Sequence, residues 1–486
     1  MEFGKKKELW INIVSAVFFI FSLFCCMYYI WSDFFVLETN TDVLDNLMWA
    51  QASVESGKLI NLDYTYPYFI PLGGHLLMVP FVKIFGLGIF SARLGMTIFS
   101  VVMTIVMVLF FRTFLTKWYL SLVCTGCMLL SMLSTEKIRE MFFGHVLHYS
   151  LAILLWMLSI ILIDYFDKYK KKDEKKTKMI IGLLTIHFWV VGIEGMTVTL
   201  FAGIPWIGFI ILKFLFSEKT ISKYSKWDKK AIICSCIGLI LGIVTYKKIS
   251  YGIVTTYEQG FMEYDLYKNW VKNIELFFSQ WVYLWLDIFS YNDVYVEILS
   301  LNGIVYLVKN AMMLMTLLFA ISTFFVYHKF EKEIEKKIII SYWVLSLATI
   351  YFYVFGKIGV HSWRMLPFWF GTIIVSIMVV KVLVLNKYFV KLKRVAIVVI
   401  LIMLCNSGLN GLLVLNRNID TNSTWFGEGT MIDILKENNL TEGYVIDYWM
   451  GNSITVLTNE EIRVRCVGLS AEADVRSNEK LNSSFI

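Results

Sequence analysis

The strongest constraint on this chain is its alternation of apolar runs near twenty residues with six segments rich in lysine and arginine. About 20 helical residues match the roughly 30 Å hydrocarbon core of a bilayer. The basic segments are Lys5-Lys6-Lys7, Arg112 to Lys117, Lys168 to Lys178, Lys213 to Lys230, Lys329 to Lys337 and Lys387 to Arg394, and they hold 26 of the 45 Lys and Arg residues. Such residues accumulate on the cytoplasmic side of membrane proteins, so all six segments are expected there. A hydrophobic content of 58%, an aromatic content of 16% and a mean hydropathy of +0.65 exclude an ordinary soluble protein. The net charge of +7 therefore reports orientation and contact with anionic membrane lipids, with no nucleic acid implied.

The runs predict an all-α polytopic membrane protein with about eleven spans: 10–32, 91–111, 118–134, 145–166, 179–194, 196–214, 231–250, 304–327, 338–356, 364–385 and 395–415. The first run has no small-residue cleavage site behind it and reads as a retained signal anchor. Starting in the cytoplasm, this count places every basic segment inside a plasma membrane and the C-terminus outside. Glu194 falls in the outer turn of a tight hairpin, where it avoids the cost of a charge at mid-membrane. Pro71 to Gly86 is too short for a span and contains Pro80, His75 and Lys83, so a juxtamembrane helix in the outer interface is expected. Seven of the eight cysteines lie in apolar runs, where the pair Cys124 and Cys127 reads as small buried side chains.

Residues 1–415 are thus a membrane domain with outer loops at 33–90, 135–144 and 251–303. Residues 416–486 are polar and read as a small α/β segment, with a helix at Met431 to Asn438 and strands at Tyr444 to Tyr448, Ser453 to Leu457 and Ile462 to Val467. Its core is too small for it to be expected to fold alone.

The residues able to do chemistry gather on the outer side. In the first loop a helix is expected from about Asp42 to Gly57, with Asp42 and Asp45 neighbours on one face at its N-terminus. Either these carboxylates cap the helix and complement its dipole, or one of them takes a proton from an acceptor hydroxyl. The second loop brings Glu136, Arg139, His145 and His148 together. The two histidines, one turn apart, are metal ligands or proton carriers on one reading and a polar rim on the other. Arg364, with Lys357 before it, suits a lipid phosphate but equally suits snorkelling beside Trp363. Trp270, Trp281 and Trp285 in the long loop stack on sugar rings or lie in the interface.

A membrane anchor, an outer loop with an early Asp and a short amphipathic helix, then Gly57-Lys58-Leu59, Tyr66-Pro67, Pro71-Leu72-Gly73-Gly74 and Phe85-Gly86 before the next span resemble the GT-C superfamily. These are glycosyltransferases that use polyprenyl-phosphate sugars; the protein mannosyltransferases and the bacterial aminoarabinose transferases of lipid A are the nearest named groups. The resemblance covers residues 10–165 and implies a GT-C-like fold with outer juxtamembrane helices. It implies Asp42 as catalytic base, with Asp45 as substitute because Asp42-Val43 stands where many members have Asp-Glu. It also implies Arg364 as a ligand of the lipid phosphate, whereas the second outer loop lacks the Asp-x-Asp of oligosaccharyltransferases and so departs from their metal site. Beside the resemblance, Lys357, Glu136, Arg139 and His75 are candidate substrate contacts, and His145 and His148 candidate ligands of a divalent metal ion. The expected partners are a polyprenyl-phosphate-linked sugar donor and a glycan, lipid or protein acceptor. A transporter or lipid flippase, or a non-catalytic relative of the fold, is the competing expectation; transporters usually place their charges near mid-membrane.

Overall fold

The computed structural model describes residues 2–39, 41–66, 69–71, 73–144, 149–215, 226–255, 269–288, 299–355, 362–383, 401, 404–405, 407–413, 425–445 and 448–466. The chain forms a helical bundle. Helix α1 (Glu2–Trp31) is followed by α2 (Asp33–Leu37), α3 (Thr41–Ser56), strand β1 (Thr65–Tyr66), α4 (Gly74–Phe85), α5 (Ile89–Phe114), α6 (Trp118–Ser131) and α7 (Glu136–Arg139). Then come α8 (Tyr149–Tyr169), α9 (Glu174–Ile193), α10 (Gly195–Val198), α11 (Ile204–Leu215), α12 (Lys226–Ile249) and strand β2 (Val254–Thr255). The bundle ends with α13 (Trp270–Ile288), α14 (Leu301–Val326), α15 (Glu333–Val354) and α16 (Leu366–Leu383).

Among the described residues six helices are long and apolar enough to cross a membrane, namely those ending at Trp31, Phe114, Tyr169, Ile193, Ile249 and Val354. The pair Trp118–Ser131 and Glu136–Gly144, bent by 119°, makes a seventh if it is counted as one broken span. The eleven crossings expected above exceed that number: α11, α14 and α16 have shorter apolar stretches, and 395–415 lies mostly outside the described residues. Leu9, Trp10, Val14, Val17, Ile20, Phe21 and Phe24 of α1 face outward, an apolar surface that suits lipid and not water. The protein is an all-α, multi-pass membrane protein.

Backbone contact, more than side-chain size, holds α9 against α12. A Cβ at Gly238 would stand 2.3 Å from the Thr185 carbonyl oxygen, one at Gly242 2.3 Å from that of Trp189, and one at Gly192 2.5 Å from that of Leu239. Gly238 and Gly242 form the small-xxx-small spacing that lets membrane helices approach this closely. Glu194 closes α9, and Gly195, with φ of +82°, turns the chain back in the expected hairpin.

The basic segments meet at one end of the bundle. Lys117 Nζ pairs with Glu8 at 2.8 Å, and Lys332 Nζ donates to the Phe114 carbonyl at 3.0 Å. Lys170 bridges Asp167 at 2.8 Å and Asp228 at 2.9 Å, and Asp167 also takes Lys337. Burial works against the charge of Lys170, but its bonds to Asp167 and Asp228 outweigh that and raise its pKa. The segment Lys387 to Arg394 lies outside the described residues.

Two local expectations are corrected. Residues 135–144 are not an open loop: Thr135 caps α7 by accepting from the Ile138 N–H, and Glu140–Gly144 continue as a buried π-helical turn. In the C-terminal segment, helix α17 (Trp425–Glu437) precedes strand β3 (Glu442–Val445), helix α18 (Tyr448–Leu457) and strand β4 (Arg463–Cys466). Ser453–Leu457 is therefore helical and not a strand. The strands β3 and β4 pair in parallel, and a parallel pair needs a crossover, which α18 supplies.

Candidate functional site

The end of the bundle opposite the basic segments holds helix α3, helix α7, the start of α8 and Arg364. Helix α3 is buried all round from Val43 to Ala50, the polar Asp45 and Asn46 included, and Gly57, at φ of +66°, ends it. Beneath it lies an aromatic floor: Trp49 meets Tyr66 with ring centroids 5.4 Å apart, and Tyr66 meets Tyr64 at 4.9 Å and Phe69 at 5.3 Å. The Tyr66 hydroxyl accepts from the Asn61 N–H at 3.1 Å, and burial pushes its pKa up to about 12. Strand β1, which carries Tyr66, pairs in parallel with β2 and ties the first loop to the long loop.

Helix α3 carries Asp42, Asp45, Asn46 and Trp49 at i, i+3, i+4 and i+7, one face by helical register. Asp45 is wholly buried, and its Oδ1 accepts from Asn452 Nδ2 at 2.7 Å. The C-terminal segment is thus docked on α3, with α18 against its surface. The side chains of Asp42 and, on α4, His75 lie outside what the structure describes, as do His145, His148, Lys357 and Trp285.

The second loop is braced to the first by charge. Arg139 Nε donates to Glu38 Oε2 at 2.8 Å, its terminal nitrogen reaches Oε1, and its other donor takes the Leu133 carbonyl at 2.8 Å. Tyr29 donates to the same Glu38 oxygen at 2.8 Å. Burial opposes the charge of Arg139, but the hydrogen bonds and field of Glu38 outweigh it and raise its pKa. Glu136 points outward from α7, yet desolvation by the surrounding protein, with repulsion from Glu38 and Glu140, raises its pKa. Glu140 is buried and pairs with Lys137 at 2.8 Å.

Two contacts draw these pieces to one locality. Val43 Cγ2 stands 2.7 Å from where a side chain at Gly144 would begin, so the π turn lies directly on the first turn of α3. Five residues on, the Tyr149 hydroxyl at the start of α8 shares a hydrogen bond with Arg364, and Tyr353 at the end of α15 lies within the field of both. The Tyr353 hydroxyl is buried and has no hydrogen-bond partner among the described residues. Asn273 of α13 donates to the Val354 carbonyl at 2.8 Å, which fastens the long-loop helix over the same end. On that helix Trp270 is exposed and Trp281 buried. The structure therefore sets the π turn on the start of α3, pairs Tyr149 with Arg364, and engages Arg139 with Glu38.

Three participants escaped sequence reasoning: Glu38, Tyr149 and Asn452. Each is defined by a partner distant in the chain, and no local pattern marks it. Among the described residues no group of three or more His, Cys, Asp or Glu is placed to hold a metal ion. The chain matches no protein-family model, no curated protein and no solved structure.

Proposed function

We propose that this chain is an integral membrane glycosyltransferase that moves a sugar from a polyprenyl-phosphate donor to an acceptor hydroxyl on the extracytoplasmic face. What supports this reading is that the helix bearing Asp42 and Asp45 and the Tyr149–Arg364 pair both belong to the end of the bundle away from the basic segments. Because basic segments mark the cytoplasmic side, that end faces outward, with the N-terminus inside and the C-terminus outside a plasma membrane crossed about eleven times.

In this mechanism Asp42 takes the proton of the acceptor hydroxyl as its oxygen bonds to the anomeric carbon. The bond from that carbon to the phosphate oxygen breaks on the opposite face, so the configuration inverts and polyprenyl phosphate leaves. Arg364, held by Tyr149, stabilises the departing charge, and the Tyr353 hydroxyl offers a further donor. Asp45, fixed by Asn452, is the second carboxylate of the same helix. Lys357, His75 and Glu136 complete the substrate contacts, and His145 with His148 would be the ligands of any divalent metal.

The test is transfer by purified protein in lipid vesicles supplied with polyprenyl-phosphate sugars. Asp42→Asn should abolish transfer and leave the melting temperature unchanged; transfer at the wild-type rate rejects Asp42 as the base. Movement of the intact lipid-linked sugar across the vesicle without hydrolysis or transfer supports a flippase in its place.

A further inference from the structure

One residue of α3 has no role in the mechanism above. Asn46 is 1% exposed, and among the described residues neither its Oδ1 nor its Nδ2 has a hydrogen-bond partner. Its neighbours in the chain do not relieve it: Asp45 is engaged by Asn452, and Leu44, Leu47 and Met48 are buried apolar side chains. A primary amide left unpaired at both ends is a cost that a leucine of similar size would remove, because desolvation is suffered with nothing gained. Completion by a ligand is one of the few reasons for a chain to keep such a group.

Its position suits that purpose. Asn46 stands one helical turn beyond Asp42 on the same face of α3. The π turn packed against the start of α3 contributes a second unsatisfied group: Glu140 is buried, its Oε2 takes Lys137, and among the described residues its Oε1 has no hydrogen-bond partner. Single π turns of this kind recur at functional sites.

We propose that Asn46 reads the sugar of the lipid-linked donor. Its Nδ2–H donates to one hydroxyl oxygen while its Oδ1 accepts from the adjacent hydroxyl, a pattern that selects a hexose with a vicinal diol. This rests on the transferase reading and adds to it the group that recognises the sugar, as distinct from the phosphate.

The experiment compares full-length wild type with Asn46→Leu and Asn46→Asp in detergent and in vesicles. It measures melting temperature without substrate, binding of polyprenyl phosphate lacking a sugar, and transfer from polyprenyl-phosphate hexose. Asn46→Leu is expected to melt at or above the wild-type temperature, to bind polyprenyl phosphate as before, and to lose transfer by about tenfold or more, the measure of one lost hydrogen bond to substrate. A leucine variant that keeps its transfer rate overturns the proposal. Should the leucine variant melt lower and lose transfer, Asn46→Asp decides, since it keeps the size and the acceptor but loses the donor. A similar loss with phosphate binding intact supports the proposal, and wild-type transfer overturns it. If wild type itself transfers no sugar, the transferase reading fails, and the melting comparison still reports on Asn46: a gain for leucine marks a polar group kept for a ligand, and a loss marks an ordinary core amide.

Discussion

Arg139 and Glu38, 101 residues apart in the chain, form a buried ion pair in which two guanidinium nitrogens meet both carboxylate oxygens. It ties the end of α2 to α7 and so fixes the spacing between the first and second loops. Removing one partner leaves the other charged and buried, which typically costs about 3–5 kcal/mol. Arg139→Ala should therefore lower the melting temperature in detergent sharply. The double change Arg139→Leu with Glu38→Leu should recover most of the loss, and a double variant as unstable as the single one refutes this account.

The Asn452–Asp45 bond predicts a defect of position and not of fold. Asn452→Ala removes one donor to a wholly buried carboxylate, a loss of about 1–3 kcal/mol. If Asp45 serves transfer, kcat should fall with KM little changed, and Asn452→Gln should restore less than half of it. Asn452→Asp sets two carboxylates together, so its transfer should recover as the pH is lowered and the pair shares a proton. An unaltered pH profile in that variant shows that Asn452 does not act through Asp45.

Close helix approach predicts where methyl groups are not tolerated. Gly238→Ala or Gly242→Ala places a carbon against a carbonyl oxygen of α9 and should cost about 1–3 kcal/mol, the usual penalty of overpacking. Gly182→Ala on α9, where a Cβ meets nothing within 4 Å, is the control and should be neutral. Equal melting temperatures for all three remove the basis for the α9–α12 contact.

Glu136 supplies the expected pH response. Its pKa is raised, first by desolvation and then by Glu38, so the folded protein keeps the proton longer than the unfolded chain does. Its contribution to stability is complete below the ordinary glutamate range and is lost as pH rises through the folded value. Between about pH 4 and pH 7, the range of ordinary and raised carboxyl groups, Glu136→Gln should flatten the decline of melting temperature seen in wild type. The same slope in both proteins contradicts the shift.

Sidedness is directly measurable. In a background freed of the native cysteines, Glu136→Cys should label only from outside intact cells and Lys172→Cys only after the membrane is opened. Labelling of both from one face removes the orientation used here.

Much of this fold is written in short stretches of sequence. Val43, Leu44, Leu47 and Met48 with Gly57 define α3, because helix periodicity and a left-handed stop are local signals. The four-residue spacing of Gly238 and Gly242 is local too, but which helix they meet is settled only by the approach of α9. Ser453–Leu457 misleads because its β-branched residues favour a strand, while the pairing of β3 with β4 imposes a helix between them. The buried turn at 135–144 is hidden for another reason: its polar residues look solvent-exposed until the Glu38 partner of Arg139 is seen. Of the candidate site, the helix bearing the carboxylates and the cation Arg364 can be read from sequence. The residues that orient them, Tyr149 and Asn452, cannot.

The hydrogen bond from Asn452 to Asp45 joins residues 407 positions apart, so it orders events in time as well as in space. A ribosome delivers α3 to the membrane well before α18. Until then the buried carboxylate of Asp45 waits for the Asn452 amide, and a chain cut short before α18 carries α3 without it. The arrival of α18 is thus built into this end of the molecule as a condition for finishing it.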